Sequence, residues 1–189
     1  MSAVLERNAT DLLRARFAGA ARPCIAVIGT FDGVHHGHRE LLRSARRLAA
    51  ERSLALIAVT MDPRPDVLKS SGEPLPDVCS LQERILRLHW AGADDVVVVP
   101  FTLETAALTY ADFCALLTEE LGVRAIYVGE DFALGRAREG TPGRMRALGI
   151  EVHTHALVPS ASCAGKASST NVRNAIARGV DPRRALTAA

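Results

Sequence analysis

Five short strand-like runs, four of them apolar, alternate along this chain with stretches of helical periodicity, and that alternation leaves few folds open. The runs cover residues 25–28, 54–60, 96–99, 125–128 and 151–157, several of them rich in valine and isoleucine. Helical patterns follow over 38–51, 80–90, 109–121, 141–148 and 166–179. Their ends carry boundary signals. Ser80 with Glu83 reads as a capping box, Thr109 as an N-cap, and Gly122 and Gly179 as stops. Strands joined through helices must run parallel, so the expected fold class is α/β: a parallel sheet of about five strands with helices on both faces. An amphipathic helix over 4–18 precedes the first strand. Residues 1–22 are therefore read as an N-terminal helical extension and 23–189 as one domain. The breaker-rich segment 66–79 is expected to be an exposed flap or substrate loop.

Composition excludes several classes. The 189 residues carry a formal charge of only +2, with Arg and Glu interspersed, so neither nucleic acid nor a membrane is expected as a partner. Cys24, Cys79, Cys114 and Cys163 stand apart with no CxxC pair, which favours reduced thiols in a cytoplasmic protein over disulfides or zinc. No run approaches the length needed to cross a bilayer, and the first residues lack the apolar core of a signal peptide.

In such a sheet the loops after the strands share one edge, and that edge is where open α/β sheets bind ligands. Those loops hold most of the unusual residues. The first runs from Gly29 through Thr30, Phe31, Asp32 and Gly33 to His35, His36, Gly37 and His38. Glycines between a strand and a helix N-terminus let backbone N–H groups approach an anion, and histidines add donors. The others are Met61–Pro65 with Asp62 and Arg64, 100–102, 129–135 with Asp131 and Phe132, and 164–170 with Lys166, Ser169 and Thr170. The HxxH spacing of His35 and His38, with His153 and His155 alternating on a strand, also matches part of a zinc site. No acidic or cysteine ligand stands at a supporting spacing, so no protein-bound metal is expected. Ser168-Ser-Thr170 would by itself read as a simple N-cap.

His35-His-Gly-His38 resembles the HxGH signature of the nucleotidyltransferase superfamily, whose sheet is Rossmann-like. The longer stretch Gly29–His38 resembles the FAD synthetase (FMN adenylyltransferase) module of bacterial bifunctional riboflavin kinase/FAD synthetases. Val128-Gly-Glu-Asp-Phe132 with Gly135, and Lys166–Arg173, resemble two further segments of that module in the same order. The resemblance implies an adenylyltransferase that moves AMP from ATP to the phosphate of FMN and releases pyrophosphate, with Mg²⁺ on the ATP phosphates. It implies catalytic roles for His35, His38 and Arg173. Nucleotide contacts would come from Gly29, Thr30, Phe31, Asp32, Gly37, Lys166, Ser169 and Thr170, and acceptor contacts from Asp62, Arg64, Asp131 and Phe132. Asp131 reads equally as a turn former. Met61 and Arg64 stand where the family has Phe and His, Arg84 where it has Lys, and Asn171 where Arg is common. These departures keep two alternatives in view: a stand-alone nucleotidyltransferase for a non-flavin phosphorylated acceptor, and a non-catalytic nucleotide-binding protein. No riboflavin kinase motif follows in the sequence, so a separate kinase is expected to supply FMN.

Overall fold

In the computed structural model, the described residues are 13–14, 22–69, 76–156, 169–181 and 186. The expected helix over 4–18 lies outside them except for residues 13–14, as do residues 70–75 of the segment 66–79, Cys163 and Lys166.

Five parallel strands form one sheet: β1 (Cys24–Ile28), β2 (Ala55–Asp62), β3 (Asp95–Pro100), β4 (Val123–Gly129) and β5 (Glu151–His155). Their order is β3-β2-β1-β4-β5. Every residue of β1 is buried because helices cover both of its faces, which is why it reads as an unbroken apolar run. Alternate side chains enter two separate cores. Cys24, Ala26 and Ile28 join Phe113, Leu117 and Met145 on one face. Ile25 and Val27 join Leu42, Ala45, Ala49 and Leu88 on the other. The second core is closed by α1 (His36–Glu51) and α3 (Leu81–Trp90). A short helix, α2 (Pro65–Lys69), leaves the end of β2. The first core is covered by α5 (Tyr110–Ala115), which passes into a π-helical turn, Leu116–Glu120, and by α6 (Pro142–Ala147). A further short helix, α4 (Leu103–Ala107), precedes α5, and α7 (Ser169–Ala177) closes the described chain.

The expected N-caps act at Ser80 and Thr109, and Thr141 caps a helix in the same way. Each side chain accepts from the N–H three residues on: Glu83, Asp112 and Arg144. Glu83 does not complete a capping box, because its carboxylate takes Arg87 at 2.6 Å instead. A reciprocal box forms at Thr102 and Thr105, opening α4, a helix the apolar pattern alone did not mark. Residues 65–69 are helical as well, where the sequence suggested an exposed loop. Helix α1 begins at His36, two residues earlier than its apolar pattern suggested. Among the described residues, no helix is long and apolar enough to cross a membrane.

The strand order reverses beside β1. The chain builds β1, β2 and β3 in one direction and then returns to lay β4 and β5 on the other side. The loops after β1 and β4 therefore diverge and leave a crevice between them, the usual place for a ligand in an open α/β sheet.

Candidate active site

The floor of the crevice is the turn after β1. Phe31 (φ 50°), Gly33 (φ 81°) and Val34 (φ 48°) all take left-handed conformations. Two such non-glycine residues in one short loop mark strain that the surroundings must hold. Phe31 is fully buried and Val34 nearly so, which supplies the holding. Gly33 cannot be replaced cheaply, since a Cβ there would lie 2.6 Å from Leu186 and 2.7 Å from Val78. The turn delivers His35 to the N-cap of α1 with no side-chain cap bond, and the first turn of that helix has no acidic residue. The leading N–H groups of a 16-residue helix are thus left for another acceptor.

His35 and His38 stack with ring centroids 3.7 Å apart, and Phe31 meets the His38 ring edge-on at 5.1 Å. Burial lowers the His35 pKa to about 4, with the Arg39 charge adding to it. His38 is pushed well below its usual range by burial, then by His35 and Arg39. Both rings are neutral at pH 7. The Nδ1 atom of each is buried without a hydrogen-bond partner among the described residues. Buried polar atoms in that state call for a ligand or water.

Both histidines line a cavity of about 590 Å³ that occupies the crevice. Gly29, Thr30, Phe31, Gly37, Asp131, Phe132 and Arg173 line it too. One wall is apolar, with Met61, Val99, Phe101, Leu108, Phe113 and Leu134. Three charged or titratable residues on its lining had no role in the sequence reading: Asp66, Arg138 and His155. Arg138 falls just beyond the loop 129–135 that the sequence singled out. Its left-handed backbone (φ 58°), next to Ala137 at φ 53°, is the signal that only coordinates reveal. His155 had been weighed only as a metal ligand. Its neighbour His153 is elsewhere, stacked on Tyr127 at 4.6 Å and bonded to Glu151 at 2.7 Å.

Three expected contact residues are placed differently. Asp32 is fully buried and does not line the cavity; its carboxylate accepts from Arg64, Arg173 and the Val78 N–H. Arg64, expected beside the acceptor, is 1% exposed and pairs with Asp32, Asp66 and Asp77. A guanidinium with three carboxylates in reach is drawn into them rather than toward an empty cavity. Asp62 lies 3.6 Å from the buried Arg84 and is likewise not on the cavity wall. Ser169 and Thr170 open α7, but their side chains, like Lys166, lie outside the described residues.

Comparison with known proteins adds an independent line. The FAD synthetase family matches residues 18–171. The Escherichia coli K12 bifunctional riboflavin kinase/FMN adenylyltransferase is 34% identical over 157 residues, covering 82% of this chain and 50% of that protein. Its Pseudomonas fluorescens counterpart is 32% identical over 159 residues, covering 82% and 51%. A Geobacillus thermodenitrificans protein, provisionally named for the same two activities, is 34% identical over 157 residues, covering 82% of this chain and 83% of its own length. A crystal structure from Streptococcus pneumoniae, described as a macrolide-efflux protein, superposes with a TM-score of 0.73 at 27% identity over 82% of this chain and 51% of that one. The chain thus spans about half the length of the first two relatives.

Proposed function

The chain belongs to the FAD synthetase family, and from that premise we propose that it is an ATP:FMN adenylyltransferase. The FMN phosphate attacks the α-phosphorus of ATP, one P–O bond forms, the bond to the β-phosphate oxygen breaks, and pyrophosphate leaves. Such a transfer needs alignment and charge stabilisation more than covalent help. The observation that carries the proposal is the pair of buried, neutral imidazoles at a bare helix N-terminus, each with a ring nitrogen lacking a partner among the described residues.

The residues then take these parts. His35, His38 and the leading N–H groups of α1 hold the α-phosphate and the oxygens that gain charge as pyrophosphate departs. Gly29 to Phe31 and Gly37 let the nucleotide lie against backbone. Arg173 reaches the β- and γ-phosphates from α7, with Lys166, Ser169 and Thr170 completing that end. The wall of Met61, Val99, Phe101, Leu108 and Phe113 suits a flat aromatic ring system, which supports a flavin as acceptor, with Asp131 and Phe132 beside it. Mg²⁺, when bound, neutralises and orients the triphosphate. It draws most of its ligands from phosphate oxygens and water, so it needs no protein cage. FMN comes from a riboflavin kinase, the other activity in the relatives' names.

The test is direct. Purified protein with ATP, FMN and Mg²⁺ should release FAD and pyrophosphate in equal amounts. Pyrophosphate release that requires a different phosphorylated acceptor, with no FAD formed from FMN, would overturn the flavin reading.

A further inference from the structure

Two guanidinium groups converge on a single oxygen of Asp32. Arg64 Nη1 donates to Oδ2 at 2.9 Å, and Arg173 Nη1 donates to the same atom at 2.8 Å. The other oxygen, Oδ1, accepts from the Val78 N–H at 2.9 Å. Both arginines also reach Asp66, but their settings differ. Arg64 comes from the turn after β2, is 1% exposed, and is held from behind by Asp77 at 2.7 Å and Asp66 at 3.2 Å. Arg173 projects from α7, lines the cavity, and also reaches Asp66 at 3.8 Å.

Asp66 and Asp77 are exposed enough to keep water around them, whereas Asp32 is fully buried and depends on the guanidinium groups for its compensation. One positive charge suffices to neutralise Asp32. If Arg173 were its only cation, drawing Arg173 onto a ligand would leave a buried carboxylate uncompensated, which strongly opposes the move. Arg64 removes that obstacle.

We propose that Arg64 is a positioning residue: a permanent counter-ion for Asp32 that lets Arg173 pass from this carboxylate to the triphosphate. The inference rests on the reading of Arg173 as a phosphate-holding residue. Arg64 stays where it is throughout, walled off from the cavity. The Arg173 side chain exchanges the Asp32 carboxylate for phosphate, and Asp32 keeps a counter-ion before and after ATP binds. Arg64 thereby governs how readily ATP finds Arg173 available, without touching the nucleotide.

The experiment measures Mg²⁺–ATP binding by calorimetry and FAD formation, with thermal melts to verify folding. Arg64→Met keeps the apolar stem but removes the charge, and should weaken ATP binding about tenfold, because the released state of Arg173 becomes rarer. Arg64→Lys should recover most of the loss. Adding Asp32→Asn to Arg64→Met should return affinity to within about threefold of the parent, since the buried charge at residue 32 no longer detains Arg173. A purely structural Arg64 predicts a second loss on top of the first, and that result overturns the proposal. Arg173→Ala tests the underlying reading separately. Unchanged ATP affinity there refutes its phosphate role and the handover together, whereas lost affinity combined with a worse double variant refutes the handover alone. Should Arg64→Met not fold, Asp32→Asn by itself decides: tighter ATP binding supports the proposal and weaker binding overturns it.

Discussion

His35 and His38 lie face to face at 3.7 Å, a separation that two imidazolium ions would resist. Their lowered pKa values therefore have consequences in two directions. For stability, His35 drops from 6.5 to about 4 on folding. The unfolded chain takes up this proton first, so the stabilisation is complete above pH 6.5 and is withdrawn as pH falls toward 4. That amounts to about 3 kcal/mol, and His38 adds in the same direction. Urea denaturation at pH 7 and pH 4.5 should show the decline, and His35→Asn should flatten it. For binding, a triphosphate laid against neutral rings raises their proton affinity. ATP binding at pH 6 should take up protons, seen as a heat that changes with the ionisation enthalpy of the buffer. Catalytically, His38→Ala should lower turnover roughly a hundredfold with a much smaller change in ATP affinity. Equal losses in both would remove the transition-state role. The histidines and their loop were legible from the sequence by residue type and spacing. The partners of Asp32 were not, because ion pairs between residues 32, 64 and 173 depend on how three loops meet.

At the scale of elements, the segment after β4 is clamped to the start of α5. Leu134 and Gly140 form a bridge in which each N–H donates to the other's carbonyl, at 3.1 and 2.9 Å. Gly135 sits at φ 76°, and a Cβ there would come within 2.5 Å of the Tyr110 backbone nitrogen. Gly135→Ala should therefore lower stability by about 2 kcal/mol or more, combining a left-handed penalty with a backbone clash. Because the same loop carries Phe132, Leu134 and Arg138 to the cavity, the variant should raise the KM for FMN more than that for ATP. Steady-state kinetics with each substrate varied in turn provides the check. Strand and helix identities followed from periodicity, since β1 to β4 are buried enough to read as apolar runs. The short helices α2 and α4 escaped that reading for a physical reason. Five residues make too few turns to show a period, and the ends of α4 are set by a reciprocal Thr102–Thr105 cap rather than by an apolar stripe.

For the molecule as a whole, the crevice beside β1 has an apolar wall and a polar one. Its apolar wall comes from the β2–β3 side and the helices α4 and α5, while His35, His38 and Arg173 come from α1 and α7. Phe101→Ala, which shortens that wall without touching the histidine side, should weaken FMN about tenfold and leave ATP affinity within about twofold, since truncation of a stacked aromatic removes contact only where it packed. Equilibrium binding of each ligand alone would show whether the halves are separable. By itself the sequence determined a parallel α/β sheet, the loop whose histidines line the cavity, and membership in a family, because apolar periodicity and short motifs are local properties of a chain. Only the tertiary structure decided the strand order and which loops face each other. It also decided that Asp32 and Arg64 are an internal ion pair and not walls of the site. Those outcomes depend on distances between residues far apart in sequence, and a charged side chain's partner is whichever opposite charge the fold brings nearest.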